Sequence, residues 1–98
     1  MLTEAADADL REIARYTHQK WGEAQARMYL DTLERCTERL VAGDAPFKDL
    51  RSLIPSLRMS RCEHHYIVCL PRDDGPALIV ALVHERMDLV SRLRGRLP

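Results

Sequence analysis

Residues 77–83 read Ala-Leu-Ile-Val-Ala-Leu-Val, an apolar run without a break. It is far shorter than the roughly 18–20 apolar residues that a membrane helix requires. Asp73-Asp74-Gly75-Pro76 precedes it with a turn signal, and the polar cluster His84-Glu85-Arg86 follows it. A strand with no polar alternation has to be covered on both faces, which predicts a central strand of a small sheet. Its end then delivers a histidine and an arginine to the rim of that sheet.

The neighbouring segments supply more strands. Leu57–Cys62 alternates Leu57, Met59 and Arg61 against Arg58, Ser60 and Cys62, as a half-exposed strand does. His64–Leu70 puts Tyr66, Val68 and Leu70 on one face and His65, Ile67 and Cys69 on the other, and Pro71 ends it. The first half of the chain is helical. Thr3 is a good N-cap, with Glu4, Asp7 and Asp9 near the start where the helix dipole favours them. Ala6, Leu10, Ile13, Ala14 and Thr17 then recur at helical spacing, until Trp21-Gly22 marks a break. A second helix, from about Gly22 to Ala42, aligns Ala26, Tyr29, Leu30, Leu33, Thr37 and Leu40, and Gly43 is placed to end it. So short a connection predicts an antiparallel helix hairpin. Asp44–Ser56 reads as loop, and Met87–Leu93 carries a weak helical period.

The expected fold is therefore α+β. An N-terminal antiparallel helix hairpin packs on one face of a small antiparallel β-sheet of three to four strands, with a short C-terminal helix or tail. With 98 residues, one domain spanning 1–98 with a modest core is expected. The other face of the sheet, bearing arginines and histidines, is the expected working surface.

Cysteine usage and charge narrow the setting. Cys36, Cys62 and Cys69 are odd in number and form no C-x-x-C pair, so neither a disulfide nor a zinc site is expected. They read instead as small buried hydrophobes in a reducing cytoplasm, and the N-terminus lacks the pattern of a secretory signal. The formal charge is zero but unevenly spread: residues 1–44 carry nine acidic against six basic side chains, and residues 45–98 six against nine. Those nine are arginines except Lys48, and arginine suits bidentate contacts with carboxylates and phosphates. A strong nucleic-acid binder would be more basic overall, so direct nucleic-acid contact is left open beside an acidic protein partner.

Several segments in this order resemble the ParE toxins of the RelE/ParE superfamily, the toxin half of bacterial type II toxin–antitoxin modules. They are Ala6-Asp7-Ala8-Asp9-Leu10-x-x-Ile13-Ala14-x-Tyr16, Trp21-Gly22-x-Ala24-Gln25-Ala26-x-x-Tyr29, Leu57-Arg58, His65-Tyr66-Ile67-Val68 and Ile79-Val80-x-x-Val83-His84-x-Arg86-Met87-Asp88. The resemblance implies a cytoplasmic toxin of plasmid-stabilization type, neutralised by a cognate antitoxin and acting as a DNA gyrase inhibitor. One departure is that the family's fold opens with a strand, whereas only Met1-Leu2 precede Thr3 here. A missing edge strand would leave its neighbour open to pairing with an antitoxin segment or with a second copy, a homodimer.

The resemblance also admits an enzymatic alternative, a RelE-like ribosome-dependent mRNA endoribonuclease. Such cleavage needs an acid or base and cations on the scissile phosphate. His84 with Arg58, Arg61 and Arg86 are the candidates, assisted by Glu63 or Glu85. RelE-type chains are richer in lysine and often carry a C-terminal tyrosine; here Lys20 and Lys48 are the lysines and Tyr66 is the last tyrosine. That favours gripping over cutting. Arg58, Arg61, His65, His84, Arg86, Arg92 and Arg94 are the candidate antitoxin- or target-binding residues. A third reading is an inactive relative kept for binding. No cofactor, metal or membrane is implied: adjacent His64 and His65 point to opposite faces of a strand and cannot share an ion. Tyr16, Trp21 and Tyr29 read as core or hairpin-staple residues, and Arg92, Arg94 and Arg96 as a solvated tail or an arm for an acidic surface.

Overall fold

A computed structural model describes residues 1–97. Helix α1 (Glu4–Trp21) starts where the Thr3 hydroxyl accepts the Ala6 N–H at 3.1 Å. It buries Ala6, Asp9, Ile13 and Thr17. Gly22, at φ 90° and ψ 172°, both ends α1 and begins α2 (Glu23–Ala42). Its N–H donates to the His18 carbonyl and its carbonyl accepts from Ala26, so one residue makes the connection. Only glycine adopts that backbone at low cost. Helix α2 buries Ala26, Leu33 and Leu40 and closes at Gly43 in the left-handed conformation.

Four antiparallel strands follow in spatial order β1 (Lys48–Asp49), β2 (Arg58–Cys62), β3 (His65–Leu70) and β4 (Leu78–His84). A short helix α3 (Leu89–Leu93), capped by Asp88, ends the regular structure. The expected helix hairpin and small antiparallel sheet are thus present. The two-residue β1 lies inside the stretch expected to be loop.

The sheet is sandwiched between two apolar layers. On one side Ala6, Ile13, Leu33 and Leu40 of the hairpin pack on Ile67, Cys69, Ile79 and Leu82. On the other, Leu57, Leu93 and the partly buried Leu50, Ile54, Leu89 and Leu97 cover Val68, Val80, Ala81 and Val83. The second face is therefore not the open working surface expected from the sequence. The apolar residues that cover it are spread over a loop, a one-turn helix and the tail, with no period to betray them. A bulge opposite Val68 and Cys69, where Ala81 and Ile79 are the successive partners, leaves Val80 as the extra residue. It breaks the alternation of β4, so that the consecutive residues Val80 and Ala81 both join the second layer.

Strand β4 is also not central, since it ends the spatial order. Its burial has a different cause. The Ile79 N–H donates to the Met1 carbonyl at 2.8 Å and the Ile79 carbonyl accepts from Thr3 at 3.0 Å, in a parallel bridge with Leu2. Further along, Asp9 Oδ2 accepts the Leu82 N–H at 3.0 Å, and Arg96 Nη1 donates to the Val80 carbonyl at 3.2 Å. Arg96 and Asp9 are joined through both carboxylate oxygens, at 2.6 and 2.9 Å. A side-chain ion pair thus satisfies backbone groups that a fifth strand would otherwise take. Arg96 is not a solvated tail residue, and the edge expected to be open is occupied.

The cysteines also depart from expectation. Cys36 of α2 and Cys62 of β2 are disulfide-bonded, with Cα atoms 6.2 Å apart, while Cys69 is free and buried. The pairing depends on how α2 lies across β2, which a 26-residue separation without a motif does not announce.

Candidate functional site

A groove of about 800 Å³ opens between the C-terminal half of α1, the start of α2, the β2–β3 turn and the end of β4. One wall is α1, which presents Tyr16, Lys20 and Trp21. Tyr16 and Trp21 are exposed there at 58% and 63%, so neither is the core residue expected from the helical pattern. The Lys20 ammonium lies 5.6 Å from the centre of each ring. The opposite wall holds His64, His84, Glu85, Arg86 and Met87, with Arg92 of α3 at the rim.

The floor is built around Tyr29. Its position on the inward stripe of α2 carries a hydroxyl toward β3, and a hydroxyl brought there needs partners. It has two: the His64 N–H donates to Oη at 3.3 Å, and Oη lies 2.6 Å from His65 Nδ1. The phenol can donate to a bare Nδ1 or accept from a protonated one, according to the His65 tautomer. Burial, followed by the neighbouring His84 and His64, pulls His65 down to about 4, so it is neutral near pH 7. Burial also pushes the Tyr29 phenol up, partly opposed by the His64 N–H. His65 meets the His84 ring edge to face, with centroids 5.1 Å apart. His84 Nδ1 in turn accepts the Arg86 N–H at 3.1 Å, which leaves Nε2 as its free nitrogen.

A second network lies on the outer wall. His64 Nδ1 is 2.7 Å from Glu85 Oε2, and the other Glu85 oxygen pairs with Arg61. The hydrogen bond to His64, with Arg61 adding to it, holds the Glu85 carboxyl below its usual range. Glu63, between Cys62 and His64, takes φ 54°, the left-handed backbone that lets so tight a turn deliver His64 and His65 to opposite sides. Among the described residues no three His, Cys, Asp or Glu side chains converge to hold a metal ion.

The candidates from the sequence divide accordingly. His65, His84, Arg86 and Arg92 line the groove, and Arg61 stands beside it through Glu85. Arg58 is at the other end of β2, its guanidinium 4.3 Å over the Phe47 ring. Arg94 is exposed, its N–H closing α3 on the Val90 carbonyl, and it does not reach the groove. The proposed nuclease set is thus not assembled: of His84, Arg58, Arg61 and Arg86, only His84 and Arg86 face the groove. Tyr29, Tyr16 and Trp21 also line the groove, although their places on the helices suggest a core or a hairpin staple. The usable signal for Tyr29 was its place four residues before Leu33 on the buried stripe.

Comparisons with known proteins identify the family and the fold. The family described as "ParE toxin of type II toxin-antitoxin system, parDE" matches residues 1–89. The chain is 59% identical to Toxin ParE of Escherichia coli over 97 residues, covering 99% of this chain and 94% of that protein. It is 29% identical to Toxin ParE1 of Mycobacterium tuberculosis over 93 residues, covering 95% of each. A solved structure described as the chromosomal ParDE TA system from P. aeruginosa superposes with a TM-score of 0.68 at 19% identity, over 85% of this chain and 90% of that one. That last likeness speaks to the fold.

Proposed function

The chain belongs to the ParE toxin family of type II toxin–antitoxin systems, and from that premise we propose that it acts by gripping rather than by cutting. Its target in this reading is DNA gyrase, and a cognate antitoxin neutralises it by seating a segment in the groove between α1 and the end of β4. Residues 1–98 act as one toxin domain, working in the cytoplasm.

The observation that carries the reading is the division of labour in the groove. Tyr16 and Trp21 on one wall and Met87 on the other offer apolar contact, and Lys20, Arg86 and Arg92 stand among the carboxylates of Asp9, Glu12, Glu63 and Glu85. That combination suits an amphipathic segment that folds as it binds and sets its acidic side chains against Lys20, Arg86 and Arg92. The titratable groups meanwhile spend much of their hydrogen-bonding capacity on each other: Tyr29 on His65, Glu85 on His64 and Arg61. Such mutual satisfaction positions a surface better than it prepares a proton transfer. Of the arginines a nuclease set would draw on, Arg58 stacks on Phe47 and Arg61 pairs with Glu85.

The direct test is DNA supercoiling by purified gyrase in the presence of the purified chain. Supercoiling should fail and should return when the cognate antitoxin is added. Intact supercoiling together with cleavage of ribosome-bound message would reverse the reading.

A further inference from the structure

The chain carries a covalent feature that its toxin function does not use. We propose that Cys36 and Cys62 form a hydroperoxide-responsive thiol pair that locks α2 onto the β2–β3 hairpin. The two cysteines come from different elements, 26 residues apart, yet their Cα atoms are 6.2 Å apart. That lies within the span a disulfide bridges without moving the backbone. In a reducing compartment such a pair rests as two thiols, so its closure reports oxidation.

Access is unequal, as a sensor needs. Cys36 is half-buried on α2 and is the more exposed of the two, while Cys62 is 3% exposed. The Cys36 thiolate attacks one peroxide oxygen, the O–O bond breaks, and Cys36 becomes a sulfenic acid as water or an alcohol leaves. The Cys62 sulfur then attacks the Cys36 sulfur, the S–O bond breaks, and a second molecule, water, departs. Two thiols have given up two electrons and two protons, and the peroxide has taken both. A dithiol reductant reverses the change by thiol–disulfide exchange and is itself oxidised. Cys69 is excluded from this chemistry. It is buried in the core at 1% exposure, and burial pushes its thiol up, away from the reactive thiolate form.

The position of the pair gives the bond its consequence. Cys62 closes β2 directly opposite His65. The same hairpin end is held by Tyr29, seven residues before Cys36 on α2, or about two helical turns. Helix α2 therefore grips the hairpin at two points, one through a hydroxyl that is always present and one through a bond that depends on redox state. Closing the second point fixes the groove wall that carries His64.

The test reduces the purified chain with dithiothreitol, removes the reductant and titrates hydrogen peroxide. Intact mass should fall by about 2 Da, and alkylation with N-ethylmaleimide after denaturation should drop from three adducts to one, at Cys69. The melting midpoint of the oxidised chain should lie roughly 10 °C or more above that of the reduced one. Amide exchange across Glu63–Tyr66 should slow with it. Cys36→Ser should melt near the reduced midpoint and show no rise with peroxide; Cys36→Ala serves if the serine variant folds poorly. Persistence of three adducts, oxygen-addition masses in place of the 2 Da loss, or cross-linked dimers would each overturn the proposal. So would the 2 Da loss with an unchanged midpoint, since the bond would then lock nothing.

Discussion

Two polar clusters, each built around one buried side chain, hold the helix hairpin to the sheet, and they are built on opposite principles. Asp9 and Arg96 meet as full charges, and their remaining contacts go to the backbone of β4, at Leu82 and Val80. Tyr29 and a neutral His65 meet through a hydrogen bond, and the His84 ring packs against His65 and lines an open groove. A charged pair turned onto the backbone of one strand serves to hold the fold together. A cluster of rings that lines the groove can hold the fold and still meet a partner. The first reads as a clasp and the second as a surface.

That contrast predicts where substitutions will tell. The largest effect should come from Arg96→Ala, which strands the buried Asp9 carboxylate and should cost about 3–4 kcal/mol in urea unfolding. Replacing both partners with apolar residues should lose less than the two single changes summed, and an additive double-mutant cycle would dissolve the clasp. Next is acidification. His65 has its folded pKa near 4, against an ordinary value of 6.5, so the unfolded chain binds more protons between those limits. Stability should therefore be full above about pH 6.5 and fall as the pH drops toward 4, by up to about 3 kcal/mol. His65→Gln should flatten that dependence.

Tyr29→Phe should cost about 1–2 kcal/mol, because it leaves His65 Nδ1 and the His64 N–H without their partner. It should shift the unfolding midpoint without removing the pH dependence. The smallest effect concerns binding alone. Reversing charge at Arg86 should weaken antitoxin affinity by roughly tenfold, while the same reversal at Arg58, outside the groove, should change it less than about twofold. Equal losses at both sites, measured by calorimetry, would show that the groove is not where the antitoxin sits.

Much of this was legible in the chain. Thr3, Gly22 and Gly43 punctuate the hairpin, and period-two alternation marks β2 and β3, because these signals are local and each residue carries its own. The family was legible too, from segments scattered across both halves. What escaped was long-range. Asp9 looked like a dipole-favouring acid near the start of α1, and its partner lies 87 residues away. Cys36 and Cys62 are joined only because α2 crosses β2. The apolar run of β4 was correctly expected to be covered on both faces, but burial was mistaken for centrality. An edge strand sealed by side chains has the same composition as an inner one. Trp21 and Tyr16 show the converse error: aromatic residues on a helix suggest a core, and here they face a groove.

The sealing of β4 has a practical corollary for handling the protein. Its amino terminus donates to Ala77, Met1 to Thr3 bridge Ile79, and Arg96 closes on Val80, so both chain termini converge on one strand. An affinity tag fused to either end would hang beside that strand, and a C-terminal cut before Arg96 would bare part of it. Shortened or tightly tagged versions should then be the ones that come out of solution during purification, by pairing sheet to sheet.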